Sequence, residues 1–144
     1  MEENDNIIIL DEIHKGAKMG MDAISYVSEK SNDQNFVREL SSQYNQYDDI
    51  LTRVNDSYTN LGIVPKDYNL KQKAMSWMGI QMNTINDTSN SKLSEILIQG
   101  TTMGIIEGKK LLNHNPNVDQ NISKTLKDFV KMQEDTVEKL KTYL

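Results

Sequence analysis

Few side chains in this sequence can move protons, hold metals or attack a substrate, and they are poorly grouped. There are two histidines, His14 and His114, and no cysteine. That excludes disulfides, thiolate zinc sites, iron–sulfur clusters and thiol nucleophiles. The carboxylates that invite a search for an acid–base pair are Asp11-Glu12, Asp48-Asp49 and Glu134-Asp135. Each is an adjacent pair, and neighbours on a helix do not face one another, so these acids are expected on solvated faces. His14 follows the apolar residue Ile13 and is expected on a helix flank. His114 falls in the loop-like NHNPN. No glycine-rich phosphate loop and no G-x-S-x-G nucleophile elbow occurs.

The elements that would position any chemistry are helices. Apolar or small residues step by three and four in four segments, the mark of amphipathic helices. The first carries Leu10, Ile13, Ala17, Gly20, Ile24 and Val27. The second carries Phe36, Leu40, Tyr44, Tyr47, Leu51, Val54, Tyr58 and Leu61. The third carries Leu93, Leu97, Thr101, Gly104, Gly108 and Leu111, and the fourth Ile122, Leu126, Phe129, Gln133, Thr136, Leu140 and Tyr143. SEKSNDQN separates the first two, and NHNPNVDQ the last two. Both are rich in turn and cap formers. Leu61-Gly62 with Pro65 beyond it is a glycine stop for the second helix. Two antiparallel hairpins follow, in one domain of residues 1–144.

Between the hairpins lies a long connection, about residues 62 to 91, holding LKQKAMSWMGIQMNTI. Met75, Met78 and Met82 fall on one helical face there, with Trp77 beside them, which predicts a short crossover helix. Such a helix covers one side of a bundle, and its methionines also make it the candidate interaction surface. A connection of that length lets the second and third helices run parallel.

The phrase G-x-x-M-G occurs twice, as Gly16-Ala-Lys-Met-Gly20 and Gly100-Thr-Thr-Met-Gly104. An offset of 84 pairs Ile13 with Leu97, Ala17 with Thr101 and Gly20 with Gly104. An offset of 89 pairs Leu40 with Phe129, Tyr44 with Gln133 and Leu51 with Leu140. The chain reads as a duplicated helical hairpin. Its glycines, spaced by four, predict a close contact of the first helix with the third.

This pattern resembles the ferritin-like, rubrerythrin-related four-helix bundles, particularly small bacterial members, over residues 6–144. The resemblance implies an all-α bundle with one long crossover. It also implies places for a di-metal centre, with Glu in the first and third helices and Glu-x-x-His in the second and fourth. Here those places hold Ala17 and Thr101, then Tyr44 and Tyr47, then Gln133 and Thr136. Every ligand is replaced. Carboxylates left buried without a metal would each cost several kcal/mol, so a neutral polar layer and no cofactor are expected; the alternatives are a small cavity there for a neutral ligand, or a metal site built from other residues.

The expected function is therefore non-enzymatic, as a structural or protein-interaction module. The alternative is a metal-dependent oxidoreductase or metal-handling protein using Asp22, Glu107 or the central tyrosines. A net charge of −5 argues against nucleic acid. No apolar stretch approaches the ~20 residues of a membrane span. The acidic start, MEENDNIIIL, is unlike a secretory signal, which makes the cytoplasm the expected setting. The family's habits imply a homo-oligomer or a protein partner.

Overall fold

The computed structural model describes residues 2–65, 77 and 87–144. Four α-helices and no strand occur among them: α1 (Glu2–Ser28), α2 (Gln34–Asn60), α3 (Asn90–His114) and α4 (Gln120–Lys141). The crossover helix expected around Met75, Met78 and Met82 lies outside the described residues.

The helix ends follow from local chemistry. Asp33 caps α2, its Oδ1 accepting from the amides of Asn35 (2.9 Å) and Phe36 (3.2 Å). Asp119 caps α4 in the same way, accepting from Asn121 (2.9 Å) and Ile122 (3.3 Å). Both caps stand in the same tripeptide, Asp-Gln-Asn, 86 positions apart. Ser89 caps α3 through the Lys92 amide. At the end of α2, Gly62 takes φ 67°. There the Ile63 amide reaches the Tyr58 carbonyl at 2.9 Å, and the Gly62 amide reaches Thr59 at 3.0 Å. This is a Schellman stop, and glycine serves it because an L side chain resists that φ.

α1 packs chiefly on α2, and α3 on α4; α1 also meets α3 and α4, and α2 meets α4. Hydrogen bonds fix the directions. Asn6, early in α1, accepts from the Asp119 amide at the start of α4 (2.9 Å). Asn90, opening α3, donates to Asp33 at the start of α2 (2.8 Å). So α1 and α4 start at one end of the bundle, and α2 and α3 start at the other. α2 and α3 run parallel, and their connection joins opposite ends.

The core is a continuous apolar column. Ile9, Leu10, Ile13, Ala17, Ile24 and Val27 bury the inner face of α1, and Phe36, Leu40, Val54 and Tyr58 that of α2. Phe36 meets Tyr143 edge to face at 4.9 Å and closes one end. α3 differs from the others. Leu93, Ser94, Ile96 and Leu97 are buried near its start, but Thr101, Gly104 and Ile105 are only half-buried. The packing is open along that stretch.

Candidate functional site

The open stretch is a cavity of about 290 Å³ between α1 and α3. Both G-x-x-M-G phrases line it, Gly16 and Gly20 on α1 and Gly100 and Gly104 on α3, together with Gly108. The expected glycine-to-glycine contact of these helices is corrected here. A methyl group added at each glycine would meet a side chain from elsewhere: Phe129 at Gly16, Tyr47 at Gly20, Trp77 at Gly100, Gln133 at Gly104 and Val130 at Gly108. The glycines are notches for side chains of α2, α4 and Trp77. A bare backbone surface accepts a large inserted group as readily as another helix, and spacing alone does not distinguish the two.

These notches revise the internal correspondence. Tyr47 sits against Gly20 as Gln133 sits against Gly104. Tyr47 and Gln133 are 86 positions apart, the spacing of the two Asp caps. With that offset, Phe36 pairs with Ile122, Leu40 with Leu126, Gln43 with Phe129, and Val54 with Leu140, all buried. The offset of 89, which paired Tyr44 with Gln133, gives way to 86.

One pair in that correspondence differs in size and polarity beside the hollow. Phe129 fills the notch at Gly16, its ring 3.2 Å from an added methyl. Its counterpart, Gln43, is smaller, and the three atoms nearest a methyl at Gly100 all belong to Trp77, at 3.3–3.9 Å. Gln43 is 1% exposed. Its Nε2 donates to Glu39 at 3.2 Å, which fixes the amide and leaves Oε1 without a partner. Gln133, 3% exposed, has its Nε2 unpartnered. A buried polar atom without a hydrogen bond costs about 1–3 kcal/mol, so two on one cavity is a notable concentration.

The six family positions divide. Tyr47, Thr101 and Gln133 come together on the cavity. The Tyr47 hydroxyl is hydrogen-bonded to the Thr101 side chain. Burial pushes this phenol up to about 12, and the Thr101 bond acts the other way. Ala17 is fully buried in the core but does not line the cavity. Thr136 is buried, with its hydroxyl 3.6 Å from the Met132 sulfur. Tyr44 is half-buried and lines a shallow groove with Ile24, Ser25 and Ser28. Of the expected interaction surface, Trp77 is half-buried against the core and lines the cavity. Met75, Met78 and Met82 lie outside the described residues.

The acids and histidines lie elsewhere. Glu12 and Glu107 are exposed at the cavity margin, where Lys15 pairs with Glu12 at 3.5 Å. Asp22 is half-buried on α1 and does not reach the cavity. No three His, Asp or Glu side chains converge among the described residues. His14, expected on a helix flank, is half-buried there with its ring edge-on to Tyr58 at 6.2 Å. Burial holds it below its ordinary pKa, Lys18 adding to this and Asp11 opposing it. Tyr58, packed on the far side of α1, donates to Asp11. His114 is exposed at the end of α3.

No described helix is long and apolar enough to cross a membrane. Compared with known proteins, the chain matches no family model, and no curated protein or solved structure is significantly similar to it.

Proposed function

We propose that this chain is a non-enzymatic ferritin-like bundle, descended from a duplicated hairpin, that acts by binding rather than by catalysis and has no di-metal centre. The observation that carries the reading is the neutral interior level at which Tyr47 bonds Thr101 and Gln133 enters the notch of Gly104. A carboxylate at that depth would need a metal or a cation beside it. Tyrosine, threonine and glutamine do not, because each both donates and accepts. The reading survives the change of register. An offset of 86 sets Tyr44 and Tyr47 against Val130 and Gln133, or Tyr47 and Ile50 against Gln133 and Thr136. Neither set contains a carboxylate or an imidazole, the side chains that iron and manganese take in such bundles.

The test is metal content after incubation with iron(II) or manganese(II) and desalting. The expected result is far below one metal per chain. Near-stoichiometric retention, abolished by replacing Asp22 or Glu107, would overturn the reading and restore the oxidoreductase.

A further inference from the structure

We propose that the cavity between α1 and α3 is a binding site for a small, neutral, mainly apolar molecule with one hydrogen-bonding end, such as a medium-chain alcohol. The site rests on the metal-free reading, because a di-metal centre would occupy the same level of the bundle.

Three observations carry it. The first is the space. An engineered apolar cavity of ~150 Å³ takes up benzene, so about 290 Å³ has room for roughly a dozen non-hydrogen atoms. The walls are Ile13, Ala23, Ile24, Leu97, Leu111 and Phe129 with the glycine backbones between them. They favour hydrocarbon over water.

The second observation is polar. Gln43 Oε1 is an acceptor without a donor, and Gln133 Nε2 a donor without an acceptor. Both side chains line the cavity and are at most 3% exposed. Each atom is closed to a water-sized probe as the structure stands, so rotation of the terminal amide toward the cavity brings it to a hydroxyl, which donates one hydrogen bond and accepts others.

The third is charge. Among the described residues, no cationic side chain other than Lys15 lines the cavity. Lys15 is at the margin, paired with Glu12, and Glu107 is also there. A carboxylate or phosphate would lose its hydration and gain no counter-charge. The site thus selects a neutral polar end over an anionic one.

The chain supplies its own reporter. Its single tryptophan, Trp77, lines the cavity with its ring edge against Gly100. The experiment titrates the full-length chain with 1-octanol, sodium octanoate and octane, reading Trp77 fluorescence and the thermal midpoint. Saturable octanol binding that raises the midpoint is expected, at least tenfold tighter than octanoate. In Gln133→Leu and Gln43→Leu the preference for octanol over octane should fall, with helix content unchanged by circular dichroism. If a leucine variant fails to fold, Gln133→Met and Gln43→Met, closer in shape to glutamine, are the second test, with the same fall in preference expected. Absence of a saturable response to octanol would overturn the proposal and mark a hydrated or closed cavity. Equal binding of octanol and octanoate, or an undiminished preference in both glutamine variants, would overturn it as well. Metal content of the same sample separates the two readings: metal-free protein that ignores octanol sinks this site alone, and metal-loaded protein sinks both.

Discussion

Gly20 and Gly104 hold corresponding places, yet an added methyl would meet neighbours of different stiffness. At Gly20 it would lie 2.7 Å from the Tyr47 ring, a rigid group that is 2% exposed. At Gly104 the obstacle is the Gln133 terminal amide, which can swing into the cavity. Alanine in place of helical glycine gains up to ~1 kcal/mol, and overpacking costs about 1–3 kcal/mol. Gly20→Ala should therefore lose about 1–2 kcal/mol in urea unfolding, with Gly104→Ala near neutral or slightly stabilised. Equal losses would mean that Gln133 is as fixed as Tyr47. The Tyr47 phenol gives a second residue-scale expectation. Its folded pKa of about 12 lies above the unfolded value of ~10. Its contribution to stability is thus complete below pH ~10 and is lost as the pH rises through 12. An ultraviolet titration should show Tyr47 ionising above the ordinary tyrosine range, and Tyr47→Phe should remove that contribution.

Among the elements, helix starts proved more informative than helix faces. A 3.6-residue period keeps an apolar stripe nearly in phase when it slips by three or four positions. An offset of 89 therefore matched many buried pairs, although the caps and notches set it at 86. Caps are single events and do not slip, and Asp33-Gln-Asn with Asp119-Gln-Asn is the non-periodic signal that fixes the register. Asp119→Ala should cost about 1 kcal/mol. Asp33→Ala should lower the unfolding midpoint further, because Asp33 Oδ2 also accepts from Asn90 Nδ2 at 2.8 Å and ties α2 to α3. A double-mutant cycle of Asp33→Ala with Asn90→Ala reads that tie. No coupling between them would leave Asp33 a plain cap.

Over the whole molecule, the four helices among the described residues, their order and the parallel run of α2 and α3 were legible in the sequence. Apolar periodicity and loop chemistry encode them directly. The hollow was not legible, because apolar periodicity records which positions are buried and not the volume left between them. The degree of burial of His14 on its flank follows the same logic. A residue on the edge of an apolar stripe is exposed or covered according to its neighbour, and here Tyr58 covers it. The hollow also makes volume itself a variable of this fold. The part of this space of about 290 Å³ that is closed to water disappears on unfolding, and the loss of internal void is what couples proteins to hydrostatic pressure. Compression should therefore unfold this chain more readily than its urea stability suggests. Widening the Gln133 side with Gln133→Ala should increase the volume lost, and octanol should reduce it if it fills the space.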